Sequence, residues 1–448
     1  MAHQSLALLT DLYQLTMAQA YFNSHKMGRA TFSLFIRSYP LNRGFFVSAG
    51  LHDVLEFLEN FALDGAALDY LSEQNLFTND FLKFLEKLRF TGDVWAISEG
   101  QLFFKDEPIL EVSAPIIEAQ LVETFIINQI NLQSLIATKA ARCLLAAGKR
   151  AVVDFALRRT HGIDAGVKVA RSSYLAGFAG TSNVLAGKRY AIPTVGTMAH
   201  SFVSSFADES DAFRSYAASF PENTTLLIDT YDTIAGARKA VDIAKEMAAR
   251  GHRLKGVRLD SGDLAELGIK VRKILDDAGF SEVKIIGSGG LDEYDLSELS
   301  AAQIPFDSYG VGTKMGTSCD APWSDMAYKL VEYGDRPVLK RSPGKISWPA
   351  AKQLFRQRNQ QGQLEKDIIG LRSERIAGTD ALLRKVMEEG KIVVTLPTLS
   401  ESRAGLAKEL EHLSELTKAI RNPVLYPVEF SPALARLREE TERTLINS

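Results

Sequence analysis

The residues best suited to chemistry lie in one stretch of the sequence, 151–206. Its first seven residues, 151–157, form an apolar run typical of a buried strand, and Arg158 and Arg159 follow where a turn is expected. Because neighbouring side chains of an extended segment point to opposite sides, only one of these arginines is expected to face a ligand. Cations held at the end of a strand suit a carboxylate or a phosphate.

The same stretch continues with a small-residue helix, predicted over 167–178, and with the glycine-rich segment 180–187. A second apolar run then leads to Thr197 and His200. A single histidine among small and apolar residues is more often structural than catalytic, so this pattern alone does not assign His200 a chemical role.

An arginine and two aspartates mark the end of a later apolar run, 255–260. Arg258 and Asp260 are two residues apart, so on a strand their side chains share one face, and Asp263 follows after a serine and a glycine. An internal ion pair would explain Arg258 and Asp260, whereas a carboxylate pair can also bind Mg²⁺ or order ribose hydroxyls. The sequence leaves the individual roles of Asp260 and Asp263 open.

Two glycine loops follow two further predicted strands. The loops are Ser288-Gly289-Gly290 and Gly312-Thr313. Glycines at a strand end let backbone N–H groups approach a phosphate closely, and the hydroxyls of Ser288 and Thr313 add donors. One such loop is usually an ordinary turn, but two in consecutive strand-helix units predict paired phosphate loops.

Repeated strand and helix patterns position these residues. Apolar runs alternate with helical stretches such as 235–249 and 264–277, which predicts a parallel sheet in an α/β fold. The number of units in this part of the chain favours an irregular, TIM-like α/β barrel over an open doubly wound sheet, and barrel enzymes carry their sites at the carboxyl ends of the strands. The apolar runs are 151–157, 192–198, 224–229, 255–260, 283–287 and 308–312.

The pattern divides the chain into three consecutive regions. Strands and helices mix without strict alternation over 1–121, which predicts an α+β amino-terminal domain. A long apolar helix, 122–147, opens an α/β-barrel catalytic domain over 122–330, and 331–448 forms a small carboxyl-terminal region.

A basic segment, 336–358, lies in the carboxyl-terminal region and contains seven basic residues and no acidic one. A flap that binds a nucleotide or steers a polyphosphate and a solvated basic hairpin that turns at Pro343-Gly344 explain this composition equally well.

The first helix is predicted from Thr10 or Asp11 to about Phe22. Its apolar residues, Leu12 among them, lie on one side, whereas Tyr13 and Gln14 fall off that side. Tyr13 is therefore not required for core packing.

Composition excludes several classes of protein. The 448 residues carry 52 Lys+Arg and 55 Asp+Glu, a formal net charge of -3, so no overall field attracts nucleic acid or an anionic membrane. The cysteines, Cys143 and Cys319, are far apart, which excludes a disulfide framework and a zinc knuckle. No signal-type start and no apolar window of about 18 residues occurs, which predicts a cytoplasmic protein.

Seven sequence blocks resemble the nicotinate phosphoribosyltransferase family of NAD salvage. They keep the family's order over about the first three quarters of the chain. The blocks are LLTDLYQLTMAQAY (8–21), DFALRRTHG (154–162), GFAGTSNVLAG (177–187), GTMAHSF (196–202), GVRLDSGDL (256–264), GSGGLDE (287–293) and YGVGTKMGTS (309–318).

The resemblance implies a type II phosphoribosyltransferase. Such an enzyme forms nicotinate mononucleotide and pyrophosphate from nicotinate and phosphoribosyl pyrophosphate (PRPP), coupled to hydrolysis of ATP, with Mg²⁺ as cofactor. It also implies a homodimer whose sites are completed across the interface.

The resemblance further implies roles for individual residues. His200 would be phosphorylated by ATP during turnover, Asp260 would take part in catalysis, and Asp260 and Asp263 are candidate Mg²⁺ ligands. Tyr13 would reach the site from the neighbouring subunit. The implied nicotinate-binding residues are Tyr13, Phe155, Arg158, Thr197 and Arg258, and the implied PRPP-binding residues are Ser288, Gly289, Gly290, Gly312 and Thr313.

Alternative functions remain open at this point. The same fold could act on nicotinamide or quinolinate, and a catalytically silent relative could bind PRPP or pyridines. The intact His200, Arg158 and Arg258 count against a silent relative, and a buried cation favours nicotinate over uncharged nicotinamide. A barrel aldolase or metal hydrolase has no support, because the sequence contains no His-x-His pair and no lysine that stands out at a strand end.

Overall fold

The computed structural model describes residues 6–340 and 347–446, and the chain forms two compact units. The first unit combines 1–135 with 323–448, and the second contains 136–322. These units divide the chain differently from the three consecutive regions drawn from the sequence, because the outer regions share one unit.

The helices and strands follow one another along the chain. Up to residue 147 they are α1 Leu12–Asn23, β1 Arg29–Ile36, β2 Phe46–Val47, α2 Leu51–Glu59, α3 Gly65–Glu73, α4 Asn79–Lys87, β3 Asp93–Ala96, β4 Leu102–Phe103, β5 Leu110–Pro115, α5 Ile116–Leu121 and α6 Glu123–Ala147. From 151 to 316 they are β6 Ala151–Asp154, α7 Ile163–Leu175, β7 Gly180–Thr181, α8 Val184–Tyr190, α9 His200–Ser204, α10 Glu209–Ser219, β8 Thr225–Leu227, α11 Thr233–Ala249, β9 Gly256–Leu259, α12 Leu264–Asp277, β10 Lys284–Gly287, α13 Glu293–Ala301, β11 Ser308–Val311 and α14 Thr313–Gly316. The remainder are β12 Met326–Tyr333, β13 Arg336–Pro337, β14 Lys352–Arg358, β15 Leu364–Leu371, β16 Thr379–Ala381, β17 Arg384–Glu388, β18 Lys391–Ile392, α15 Leu399–His412, α16 Glu415–Lys418, β19 Val428–Phe430 and α17 Pro432–Ile446. Among the described residues, no helix is both long enough and apolar enough to cross a membrane.

The first unit is built on an antiparallel sheet with strands from both ends of the sequence. Its strand order is β13-β12-β1-β5-β3-β17-β18. The interior strand β1 pairs with β5 on one side and with β12 on the other, so the chain beyond residue 323 completes the sheet. A four-stranded sheet, β16-β14-β15-β19, and the pair β2-β4 belong to the same unit.

Helix α1 has a polar residue in its buried face. Asp11 is the N-cap, and Tyr13 is half exposed, as the sequence predicts. Gln14, however, is fully buried, whereas Leu12 is 55 % exposed, so the prediction for these two residues is wrong. The Gln14 amide accepts from the N–H of Asp11 and donates to Glu123, and these hydrogen bonds allow a polar side chain to replace an apolar one.

The basic segment 336–358 is partly fixed inside the first unit. Arg356 is fully buried and lies 2.6 Å from carboxylate oxygens of both Asp367 and Glu409. This arginine therefore belongs neither to a solvated hairpin nor to a flap that binds a polyphosphate. The predicted turn at Pro343-Gly344 lies outside the described residues.

The second unit contains a curled sheet of six parallel strands. Their order is β7-β6-β11-β10-β9-β8, and helices alternate with the strands along the chain. In the described part of the chain the edge strands β7 and β8 do not pair with each other, so the sheet is a half-barrel. The predicted α/β barrel class is confirmed in this half-barrel form.

The apolar run 192–198 does not form the predicted strand. Thr194 makes only an isolated bridge with Thr181, and the residues up to Ala199 have no regular structure. Pro193 lacks the N–H that a ladder requires, and Gly196 adds no side chain to pack, so hydrophobicity alone does not produce a strand here. The segment instead leads directly to α9, which begins at His200.

Candidate functional site

Four neighbouring strand ends bring the predicted residues of the second unit together. Strands β6, β11, β10 and β9 are adjacent and parallel, with Asp154 opposite Val311 and Gly287 opposite Leu259. The residues that follow these strand ends therefore lie along one edge of the half-barrel.

A buried carboxylate turns the chain at the end of β6. Asp154 accepts hydrogen bonds from the N–H of Ala156 at 2.8 Å and from the hydroxyl of Thr181 at 2.7 Å. Burial raises the pKa of this carboxyl, and the two hydrogen bonds oppose that shift. The strand consequently ends at Asp154 and does not reach residue 157. Asp154 is the only charged residue in the run 151–157, a signal that sequence reasoning missed.

The two arginines after β6 lie in a turn of 3-10 helix, Leu157–Arg159, and not in an extended segment. The prediction that they point to opposite sides is therefore wrong, since neighbouring side chains of a 3-10 helix are about 120° apart. Both side chains are exposed. Burial lowers the pKa of Arg258, and the charge of Arg158 adds to that shift.

Arg258 is held against an aromatic ring at the end of β9. Its Nη1 donates to Thr197 Oγ1 at 2.8 Å, and its guanidinium carbon lies 5.8 Å from the centroid of the Phe155 ring. The side chain is only 13 % exposed, and its Nε is buried without an acceptor among the described residues. A cation stacked on a ring with one donor unsatisfied suits a planar ligand that carries a negative charge.

Carboxylates beside Arg258 compensate for its burial. Burial lowers the pKa of the guanidinium, and Asp260 and Asp229 oppose that shift. The ion pair with Asp260 spans 3.6 Å. Because the guanidinium of arginine is a very strong base, Arg258 remains charged at neutral pH.

A buried aspartate that sequence reasoning missed organises the segment after β9. Asp229 Oδ2 accepts from the N–H of Asp260 at 3.1 Å and from the hydroxyl of Ser261 at 2.5 Å. Its Oδ1 is buried and has no hydrogen-bond donor among the described residues. The available signal was a carboxylate at the end of the apolar run 224–229, the same pattern that identified Asp260.

His200 stands at the start of α9 with its two ring nitrogens in different surroundings. Nδ1 forms a hydrogen bond of 3.1 Å with the hydroxyl of Thr230, and Nε2 lies 3.9 Å from Asp260 Oδ2. The side chain is 45 % exposed. One nitrogen is thus held by a neighbour while the other remains accessible, which is the arrangement that nucleophilic catalysis by imidazole requires. Sequence reasoning did not identify Thr230.

The first glycine loop passes very close to the backbone of Asp260. Gly289 has φ +101°, and a Cβ atom there would lie 1.9 Å from the carbonyl oxygen of Asp260. Ser288 is buried, and its hydroxyl donates to Asp260 Oδ1 at 2.6 Å. The hydroxyl is therefore engaged within the protein, and its predicted use as a phosphate donor stays a prediction. Gly290, with φ +71°, faces open space.

The second glycine loop leads directly into a short helix. Gly312 is the N-cap of α14 and Thr313 is its first residue. Thr313 is exposed at the edge of the half-barrel.

Asp263 is engaged as a helix cap. Its Oδ1 accepts from the N–H groups of Ala265 and Glu266, at 3.0 and 3.1 Å, and so begins α12. Among the described residues, no group of three or more His, Cys, Asp or Glu side chains is arranged to hold a metal ion. The predicted roles of Asp260 and Asp263 as Mg²⁺ ligands stay predictions.

Tyr13 lies in the first unit, on α1, and 51 % of it is exposed. Partial burial raises the pKa of its phenol, and the carboxylates of Glu123 and Asp11 add to this shift. Its predicted contribution to a neighbouring subunit's site stays a prediction.

Comparison with known proteins gives consistent matches along the chain. Models of the nicotinate phosphoribosyltransferase (NAPRTase) family match three parts: the N-terminal domain at 8–131, the family model at 150–334 and the C-terminal domain at 377–438. The chain is 48 % identical over 438 residues to nicotinate phosphoribosyltransferase pncB2 of Mycobacterium tuberculosis, which covers 96 % of this chain and 94 % of that protein. It is 39 % identical over 459 residues to nicotinate phosphoribosyltransferase of Bacillus subtilis, covering 95 % and 93 %.

Solved structures agree with these matches. The crystal structure of human nicotinic acid phosphoribosyltransferase superposes with a TM-score of 0.87 at 30 % identity, covering 96 % of this chain and 99 % of that one. Nicotinate-nucleotide pyrophosphorylase from Pyrococcus furiosus superposes with a TM-score of 0.75 at 25 % identity, covering 91 % and 96 %.

The close approach at Gly289 leads to a testable prediction. Gly289→Ala should lower the free energy of unfolding by about 3 kcal/mol or more, because both the positive φ and the contact with the Asp260 carbonyl oppose a side chain. Gly290→Ala should lower the free energy of unfolding by about 1 kcal/mol, because only the positive φ opposes a side chain there. Chemical denaturation of the two variants measures the difference, and equal losses would contradict the tight packing of the loop.

Proposed function

The chain belongs to the nicotinate phosphoribosyltransferase family, and we propose that its half-barrel edge joins nicotinate to PRPP while ATP is hydrolysed to ADP and phosphate. The observation that carries this assignment is Arg258, a buried cation stacked on Phe155 with one donor unsatisfied by any described residue. The products would be nicotinate mononucleotide and pyrophosphate. PRPP and ATP are highly charged and do not cross membranes unaided, so we assign the reaction to the cytoplasm.

Nicotinate fits the group around Arg258. The Phe155 ring offers a face for the pyridine, and the guanidinium of Arg258, with Thr197 beside it, offers donors for the carboxylate. Arg158 adds a second positive charge. Nicotinamide is uncharged and would form a weaker hydrogen bond than a carboxylate with the unsatisfied Nε of Arg258, which disfavours it as substrate.

PRPP fits the edge formed by the glycine loops. Backbone N–H groups of Gly289, Gly290, Gly312 and Thr313 are proposed to bind the 5′-phosphate, because glycines permit a close approach. Ser288 would act indirectly by orienting Asp260 through its hydroxyl. The transition state resembles an oxocarbenium ion, so the main tasks of the site are alignment and stabilisation of the departing pyrophosphate.

The residues near Asp260 fit a hard cation. Asp229 Oδ1 is buried without a donor in the described part of the chain, and Asp260 Oδ2 lies 3.9 Å from the Nε2 of His200. Carboxylate oxygens are the ligands that Mg²⁺ takes, together with phosphates and water. We therefore propose that Asp260 and Asp229 hold the Mg²⁺ of PRPP, which would neutralise charge on the leaving pyrophosphate.

His200 is proposed to link ATP to the reaction as a transient phosphohistidine. Thr230 holds Nδ1, so Nε2 is the nitrogen available to a terminal phosphate. Phosphorylation would place about -1.5 to -2 charges beside the PRPP site and so change its affinity for PRPP and pyrophosphate.

A homodimer is proposed from exposed apolar side chains near the arginine turn. The residues are Leu157, Ile163, Val184 and Leu185, exposed by 40 %, 75 %, 72 % and 57 %. In the first unit, Leu9, Leu12 and Tyr13 of the segment that resembles the family are also exposed. A second copy of the chain would cover such surfaces, and Tyr13 would then complete the neighbour's site.

Substrate choice tests the proposed function directly. With PRPP, Mg²⁺ and ATP, the protein should convert nicotinate to its mononucleotide and leave nicotinamide and quinolinate unchanged. Arg258→Ala should raise the KM for nicotinate roughly tenfold to a hundredfold, because a charge-assisted hydrogen bond contributes about 1.5–3 kcal/mol. The KM for PRPP should change far less.

The exposed arginine Arg253, in the loop before the same strand, provides the control for Arg258. Arg253→Ala should leave both KM values unchanged. If Arg258→Ala raises the KM for nicotinate and the KM for PRPP equally, the assignment of Arg258 to the nicotinate carboxylate is wrong.

The role of His200 gives a second prediction. His200→Ala should abolish acid-labile labelling from γ-³²P ATP and the stimulation of turnover by ATP. A slow transfer that does not depend on ATP should remain, with weaker PRPP binding, since the transfer itself does not require a phosphohistidine. His252→Ala, which changes another partly exposed histidine of the same unit, should label normally. Labelling of a folded His200→Ala variant would refute the phosphohistidine.

The shared site gives a third prediction. Tyr13→Ala and His200→Ala should each lack the ATP-stimulated activity. When the two variants are mixed, hybrid dimers should contain one intact site and recover part of the activity. Each variant mixed with itself serves as the control. No recovery after confirmed subunit exchange would mean that each site is built within one chain.

A further inference from the structure

Two lysines connect the segments that follow the two glycine loops. Lys314 pairs with Asp292 and Asp295, and Lys139 pairs with Glu293 and Asp320. We refer to these pairs as the lysine clamp. Nothing in the proposed chemistry uses them.

Lys314 links the second loop to the helix that follows the first. It comes directly after Gly312-Thr313, and its Nζ lies 3.1 Å from Asp292 Oδ2 and 2.9 Å from Asp295 Oδ2. Burial lowers the pKa of Lys314, but the two aspartates outweigh this effect and raise it, so the ammonium is charged at neutral pH.

The two aspartates that hold Lys314 also fix the end of the first loop. Asp292 is the N-cap of α13 and accepts from the N–H of Tyr294 at 2.9 Å, while Asp295 accepts from the N–H of Asp292 at 2.9 Å. This capping box begins two residues after Gly290. A change at Lys314 therefore acts on both loops.

Lys139 makes the same connection from inside the unit. Its Nζ lies 2.5 Å from Glu293 Oε2 and 2.7 Å from Asp320 Oδ1, and the side chains of Lys139 and Glu293 are fully buried. Loss of Lys139 would remove a positive charge from beside a buried carboxylate, so its variants are expected to fold poorly. Lys314 is 38 % exposed and is the better residue to test.

We propose that Lys314 is a positioning residue of the PRPP site, which sets the spacing of the two glycine loops and hence of the N–H groups that bind the 5′-phosphate. The inference rests on the proposed function. Lys314 borders a cavity of 430 Å³ together with Gly289 and Gly290. Because two carboxylates already occupy its ammonium, it acts through the loops and is not a free cation for the phosphate.

Steady-state kinetics of Lys314→Met and Asp295→Asn test the clamp. Each variant should raise the KM for PRPP about tenfold, since small displacements of binding groups weaken alignment strongly. The KM for nicotinate should stay within about twofold, because its proposed contacts lie elsewhere. The double variant should be no worse than Lys314→Met, because that change already removes the ion pair with Asp295. Lys314→Arg should recover most of the PRPP affinity.

A matched control separates the clamp from general surface charge. Lys284 forms an exposed ion pair with Asp307 at 2.9 Å on the same sheet, and Lys284→Met should leave both KM values unchanged. Melting temperatures report folding. A lower melting temperature with an unchanged KM for PRPP would show a purely structural role and overturn the proposal.

The sign of the Asp295→Asn effect separates the clamp from a direct phosphate contact. If Lys314 bound the phosphate directly, removal of the neighbouring negative charge would lower the KM for PRPP, and that result overturns the clamp. If the wild-type protein makes no mononucleotide, the proposed function fails. Calorimetric titration of PRPP into the same variants then still tests whether Lys314 positions the PRPP site. If the wild-type protein does not bind PRPP, the proposal is overturned.

Discussion

The site depends on the contacts that stabilise the largely buried guanidinium of Arg258. A cation removed from water costs free energy unless charges and hydrogen bonds compensate. Asp260 and Asp229 supply the charge, Thr197 accepts a hydrogen bond, and Phe155 supports the flat face. These partners come from separate segments of the chain, and the parallel strands bring their ends to one edge. The half-barrel is therefore what allows a charged group to be buried in this position.

Much of the second unit could be predicted from the sequence, because its strands and helices follow local patterns of apolar and polar residues. Helix α12 occupies the predicted range 264–277, and strand β9 lies within the predicted run 255–260. Arg258 and Asp260 were found for the same reason, since polar residues that end an apolar run reach the carboxyl edge of a parallel sheet. The two glycine loops were predicted by the same argument, because each comes at the end of an apolar run.

The remainder depends on contacts between distant residues, which periodicity does not reveal. Gln14 is buried because Glu123 accepts a hydrogen bond from its amide. The run 192–198 stays irregular because Pro193 cannot donate an N–H to a ladder. Asp229 has the same sequence signal as Asp260, but its importance appears only when the hydrogen bonds to the segment after β9 are seen. The sequence also did not reveal that both outer regions of the chain form the first unit. The pairing of β1 with β12 joins residues about three hundred positions apart.

Charge at the edge of the half-barrel is balanced locally and not by the chain as a whole. The net charge of -3 gives no attraction for anions, and screening limits any field to about 8–10 Å in physiological salt. Arg158 and Arg258 therefore act only on a group already in the site, where the nicotinate carboxylate would meet both. In the proposed reaction PRPP would bring Mg²⁺ with it, so Asp229 and Asp260 would attract the metal while uncharged N–H groups of the loops would hold the phosphate. Under this proposal, opposite charges would serve two anionic substrates at one edge without repelling either.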